Sequence, residues 1–280
     1  MDLAAYLDRI AYRGPLRPDR ETLFGVHRAH IETVPYENLD IHLGRKLELS
    51  DEFFFDKVVR RRTGGWCYVM NGSLSWALRQ IGFRVHRVVA GVNRELMGDE
   101  MMGNHLAILV DLDERYLCDA GLSDALLDPV PLKEGPFVQG GFEMSLSRIG
   151  AGWRFTNHRF GGAKSFDFSE KPVEISAFAD RCHWLQTNPE SNFVKVSLTV
   201  RRHEGRIDRL RDATLASITP QGQTTRVITG PDEYCRVLHE VFGLDLNGAE
   251  RQLWPRVEER HRAFIAAQAS AAPALATEQS

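Results

Sequence analysis

Apolar residues recur at three- and four-residue steps through the first 83 positions, which therefore read as mainly helical. Asp2 is a candidate cap for a first helix over Leu3 to Ile10, with Gly14-Pro15 as its stop. Pro18-Asp19-Arg20-Glu21 opens a second, and Val34-Pro35-Tyr36-Glu37-Asn38 breaks it. Ser50 can cap a third over Phe53 to Arg61, with Phe54 and Val58 on its apolar face. After Gly64-Gly65 a fourth begins near Cys67. Its apolar positions are Met70, Leu74, Leu78 and Ile81, and Gly82 ends it.

From about Arg84 the period shortens to two. Arg84 to Ala90 reads as a strand, and Leu106 to Leu112 with Arg115 to Cys118 read as a hairpin about Asp113. Phe137 to Leu146 and Gly152 to Arg159 continue the pattern, which suggests a barrel or a curled sheet. The last part mixes strands (Phe193 to Arg201, Thr224 to Ile228) with a helix from Pro231 to Phe242 and another starting near Pro255. Ala266 to Ser280, biased to Ala, Ser and Gln, reads as a frayed tail.

Composition adds limits rather than chemistry. The 280 residues are 43% hydrophobic and 26% charged, as in ordinary globular proteins, and the length alone suggests two domains. A net charge of −3 gives no global field for nucleic acid or an anionic membrane. The runs Arg60-Arg61-Arg62 and Arg201-Arg202 read as solvated faces. No apolar stretch reaches the roughly 18 residues of a membrane helix, and the first residues lack a signal-peptide pattern, so a cytoplasmic location is expected. Cys67, Cys118, Cys182 and Cys235 form no CxxC pair, which favours reduced thiols over disulfides or zinc. His27 and His30 share a helix, but without a third ligand no metal site is expected.

The densest chemistry lies in Thr63-Gly64-Gly65-Trp66-Cys67-Tyr68-Val69-Met70-Asn71. A cysteine opening a helix sees unpaired N–H groups and the positive dipole end, which favour a thiolate. A thiolate nucleophile wants an imidazole, and the imidazole wants an orienting carboxylate. Of ten histidines, His105 stands out because it opens the apolar run to Val110. Asp119 closes the next apolar run. With the hairpin centred on Asp113, Ala107 opposes Asp119, so His105 and Asp119 become diagonal neighbours on one face. A slip of one residue would separate them.

These residues resemble the arylamine N-acetyltransferase family. Its Arg-Gly-Gly-x-Cys motif with a following asparagine corresponds to Thr63 to Cys67 with Asn71. Val34-Pro35-Tyr36-Glu37-Asn38-Leu39 is similar to its Pro-Phe-Glu-Asn block, and His105 with Asp119-Ala120-Gly121 to its histidine and Asp-x-Gly element. Asn188 to Phe193 and Val241 to Leu246 extend the likeness over nearly the whole chain. The resemblance implies an α+β fold with a papain- or transglutaminase-like Cys67-His105-Asp119 triad. Its parts would be a helical bundle (1–83) with the cysteine, a β-barrel (84–190) with His and Asp, and an α/β lid (191–280). It also implies a ping-pong reaction without metal. An acetyl group would pass from acetyl-CoA through Cys67 to an arylamine, hydrazine or hydroxylamine. The alternatives are a macrolactam-forming amide synthase fed by a carrier-protein thioester and a non-catalytic binding scaffold. The expected partners are the CoA thioester and a small amine, with no nucleic acid or membrane, and the unit is a monomer or homodimer.

Three departures bear on the site. Thr63 replaces the motif arginine. If that arginine pairs with the glutamate of the Pro-Phe-Glu-Asn block, Glu37 needs a neighbour, with Arg62 as the candidate. Leu122 and Ser123 follow Asp-x-Gly where an aromatic and a glycine are usual, and Tyr36 replaces phenylalanine. Tyr36, Leu122 and Ser123 are candidate substrate contacts. Trp66 either lines the entrance or packs beneath the cysteine loop.

Overall fold

The computed structural model describes residues 1–124 and 126–271. The helical layer comprises α1 (Leu3–Arg9), α2 (Arg20–Thr33), the short strand β1 (Tyr36–Glu37), α3 (Leu39–His42), α4 (Asp51–Phe55) and α5 (Cys67–Ile81). Asp2, Asp19 and Ser50 cap α1, α2 and α4 through side-chain oxygens, as their positions before each apolar stretch predict. Gly82 ends α5 at φ +107°, a conformation open to glycine at little cost.

The third helix departs from expectation after Phe55. Residues Asp56–Arg60 widen into a π-helix, closed by the Arg61 N–H on the Asp56 carbonyl at 2.9 Å. Phe54 and Val58 are both fully buried, so the apolar face is kept through the change of pitch.

Next come β2 (Arg84–Val92), α6 (Arg94–Met97), β3 (His105–Asp111), β4 (Arg115–Leu117), β5 (Val130–Pro131), β6 (Gly135–Gln139), β7 (Phe142–Ile149), β8 (Gly152–Thr156) and β9 (Ser165–Pro172). They form an eight-stranded sheet in the order β5-β4-β3-β2-β9-β8-β7-β6, a curled half-barrel. The β3–β4 hairpin pairs Leu109 with Leu117, Val110 with Tyr116 and Asp111 with Arg115, the register centred on Asp113. Asp119 lies just past β4, in the chain leaving the sheet.

The chain continues through α7 (Ala179–Thr187), α8 (Asn192–Lys195), β10 (Leu198–His203), β11 (Arg206–Arg211), β12 (Thr214–Thr219), β13 (Gly222–Val227), α9 (Pro231–Glu240) and α10 (Trp254–Ala271). The strand expected from Phe193 is instead a helical turn, because Ser191 caps it by accepting the Phe193 N–H at 3.2 Å. The frayed tail expected from Ala266 is helical through Ala271; its remainder, 272–280, lies outside the described residues. Arg202 is no solvated charge. It is 2% exposed, its guanidinium 4.6 Å from the Phe142 ring centroid and donating to the carbonyls of His203 and Gln139. The four cysteines are free, and Cys118 and Cys182 are buried while Cys235 is half-buried.

β1 joins the beginning of the chain to its end. It pairs antiparallel with β10 in a five-stranded sheet, β1-β10-β11-β12-β13, and bridges Gly65 in parallel on its other edge. Asn38 then donates to the carbonyls of Phe193 and Val196 and accepts from the Leu198 N–H. One apolar cluster runs from Tyr6 through α5 and β3 to Ile218, and a second gathers Tyr234 and Leu238 of α9, Phe242 just beyond it, and Leu39.

Candidate active site

Cys67 is the first residue of α5, where a backbone N–H has no intrahelical partner. Its loop has no spare room. A methyl group on Gly64 would lie 1.6 Å from the Pro35 carbonyl oxygen, so a glycine is needed there for the loop to approach the 34–37 segment, and one on Gly65 would lie 2.5 Å from Val69 Cβ of α5. The Glu37 N–H closes this contact on the Gly65 carbonyl at 3.1 Å.

His105 opens β3 and packs 5.0 Å from the Phe166 ring of β9. Its Nε2 lies 3.1 Å from Asp119 Oδ1, and Cys67 is close enough to its ring to help raise its pKa. With Nε2 on the carboxylate, Nδ1 is the nitrogen left for sulfur. All three side chains are buried, at 2%, 1% and 0% exposure for Cys67, His105 and Asp119.

A carboxylate out of water needs donors. Asp119 has them in His105, the Asn71 amide, the Gly121 N–H at 3.3 Å and the Leu122 N–H at 3.0 Å. Burial alone would raise its pKa. The His105 charge, then the hydrogen bonds from His105, Asn71 and Leu122, bring it below the usual carboxylate range. For His105 burial works against the cation, but Asp119 and then Cys67 push its pKa up to about 10. A buried imidazolium–carboxylate pair is thus favoured at neutral pH.

Asn71 has a larger part than its place in a motif suggested. It stands one helical turn after Cys67, so both point the same way from α5. Its amide donates to Asp119 and to the Leu106 carbonyl at 2.6 Å, and its Oδ1 accepts the Ala120 N–H at 2.8 Å. The four-residue spacing was the available signal. Sequence reasoning also passed over Asn104, whose carbonyl accepts from the Cys67 thiol at 3.7 Å. Gly103 was missed too; its carbonyl accepts from Tyr68 Oη at 2.6 Å.

The other candidates divide. Tyr36 is buried near Cys67 and Asp124; burial and then those charges raise its pKa well above the usual value. Trp66 is 2% exposed and packs beneath the loop, its ring centroid 4.5 Å from Phe193 and 5.0 Å from Tyr68. Leu122 and Ser123 are half-buried on the turn after Asp119. Arg62 is not the partner of Glu37. Its backbone is left-handed, at φ +54°, its side chain is exposed, and it is Lys57 Nζ that binds Glu37 Oε1 at 3.0 Å.

Among the described residues no group of three His, Cys, Asp or Glu could hold a metal ion, and no helix is long and apolar enough to cross a membrane. His27 and His30 instead bind the Leu127 carbonyl and Tyr6 Oη through Nδ1.

A family model described as N-acetyltransferase matches residues 19–251. A Mycolicibacterium smegmatis arylamine N-acetyltransferase is 33% identical over 273 residues, covering 92% of this chain and 98% of the relative. A Gallus gallus pineal-gland arylamine N-acetyltransferase is 34% identical over 224 residues, 71% and 77% of the two chains. Among solved structures, Mycobacterium marinum arylamine N-acetyltransferase in complex with CoA superposes with a TM-score of 0.83 at 25% identity, covering 92% and 99%.

Proposed function

The chain belongs to the arylamine N-acetyltransferase family, and from that premise we propose that it carries an acetyl group on Cys67 between acetyl-CoA and an amine nitrogen. The observation that carries the assignment of roles is the buried chain of contacts Cys67–His105–Asp119, with the ring held between sulfur and carboxylate.

With the proton already resident on His105, Cys67 Sγ attacks the thioester carbonyl of acetyl-CoA as the thiolate. The Cys67 N–H donates to the developing oxyanion. Collapse breaks the bond to the CoA sulfur, which receives the proton from His105 as it leaves. The amine then attacks the acetyl-cysteine, giving up a proton to His105, which keeps it as Cys67 Sγ leaves as the thiolate and the amide departs. Asp119 stays ionised throughout and fixes the ring's tautomer and plane. Tyr36 and Leu122 would border the acceptor, with Ser123 beyond them. Hydrazines and hydroxylamines are included with arylamines because the step asks only for an unprotonated nucleophilic nitrogen. Residues 1–83, 84–190 and 191–280 serve as three parts of one working unit, a monomer or homodimer.

The test is intact-mass spectrometry after incubation with acetyl-CoA. One acetyl group should appear on the wild type at Cys67, disappear on adding an amine, and never appear on folded Cys67→Ala. Acetyl transfer at the full rate by that variant would overturn the reading.

A further inference from the structure

The family motif Arg-Gly-Gly-x-Cys carries a cation immediately before its glycine pair, and this chain has Thr63 there. The structure nevertheless puts a buried cation against Glu37. Lys57, with its side chain 3% exposed, lies 3.0 Å from Glu37 Oε1 and 2.5 Å from Asp40 Oδ2. Burial alone would lower its pKa, but the two carboxylates more than offset this and hold it above the ordinary lysine value.

We propose that Lys57 supplies from the preceding π-helical turn the charge that the motif places at position 63, and that it thereby positions the Cys67 loop. The inference rests on Cys67 being the nucleophile.

Glu37 is what ties Lys57 to that loop. One oxygen of its carboxylate takes the lysine, and the other accepts the Leu39 N–H at 2.7 Å. Its backbone N–H donates to the Gly65 carbonyl, two residues before Cys67. Trp66 borders the same small cavity as Lys57, Glu37 and Asp40. A lysine fixed at Glu37 therefore fixes the strand edge on which Gly65, Trp66 and Cys67 are laid.

The π-helix and Thr63 are parts of the same substitution. The Thr63 N–H and Oγ1 both donate to the Lys57 carbonyl, at 3.0 and 3.1 Å. Position 63 thus closes the widened turn instead of sending a charge inward. Arg9 holds the turn from the other side, donating to the carbonyls of Val58 and Arg62. Lys57, three residues after buried Phe54, points in between α3 and β1 while Arg60 and Arg61 stay with Asp56 at the surface.

Three variants of the full chain decide the matter: Lys57→Arg, Lys57→Met and Lys57→Met/Thr63→Arg. Each is measured for thermal midpoint, single-turnover acetylation of Cys67 and acceptor KM. Lys57→Met should acetylate at least tenfold more slowly with acceptor KM unchanged. Lys57→Arg should stay within threefold of wild type, and the relocated arginine should restore most of the loss. A folded Lys57→Met at the wild-type rate would overturn the proposal, as would a folded double variant no faster than Lys57→Met. Should Lys57→Met not fold, Glu37→Gln takes its place, because it keeps the Lys57–Asp40 pair, and the same tenfold slowing of acetylation is required. Wild type that is never acetylated at Cys67 would refute the nucleophile itself, a result distinct from any of these.

Discussion

A methyl group on Gly121 would lie 2.5 Å from Asn71 Nδ2, 2.9 Å from Cys67 Cβ and 3.0 Å from Cys67 Cα. Backbone and nucleophile cannot both keep their places, so Gly121→Ala should lower kcat/KM about a hundredfold, the usual cost of an ångström-scale misplacement of reacting groups. Steady-state kinetics beside a thermal midpoint check it. Leu122 bears on specificity instead. An aromatic there would add ring contact of about 0.5–1.5 kcal/mol. Leu122→Phe should therefore raise kcat/KM for flat arylamines by about two- to tenfold while leaving small hydrazines nearly unchanged. His27 sits behind the site with Nδ1 on the Leu127 carbonyl and is fully buried, and burial lowers its pKa to about 4. The unfolded chain, with an ordinary histidine near 6.5, takes up this proton first. Stability is thus complete above pH 6.5 and falls as pH drops toward 4, by about 3 kcal/mol for this one group. Urea unfolding of wild type and His27→Gln at pH 7 and pH 4.5 should show a shallower pH dependence in the variant.

At the scale of elements, what was legible followed local rules. The caps Asp2, Asp19 and Ser50 and the stop at Gly82 are written in one or two residues each. The β3–β4 register was readable because the turn about Asp113 sets it, and the turn-centred count put His105 beside Asp119 before any coordinates did. What escaped was set by distant contacts. β11 reads Arg-Ile-Asp-Arg-Leu-Arg and is nearly as polar as a loop; only pairing with β10 and β12 makes it a strand. Asp212 then turns the chain at φ +46° without a glycine to announce it. Lys57 was invisible for a related reason. An ordinary helical count already places it on the face of Phe54 and Val58, where a lysine reads as a side chain reaching for solvent until Glu37 and Asp40, 20 and 17 residues earlier, are brought against it.

For the molecule as a whole, the strand pair β1–β10 means that the end of the chain supports its start. A chain ending at residue 190 would retain Cys67, His105 and Asp119 yet lose the partner of Tyr36 and Glu37 and the three side-chain hydrogen bonds of Asn38. It should show no measurable acetyl transfer and a collapsed thermal transition; full activity in that fragment would contradict the architecture described above. Asn71 leads to a different kind of consequence. Because one amide on α5 grips both the carboxylate loop and the β3 backbone, prising the helical layer from the curled sheet would tear several buried bonds at once. Hydrogen exchange should therefore find the Ala120 amide, held by Asn71 Oδ1, among the slowest in the molecule.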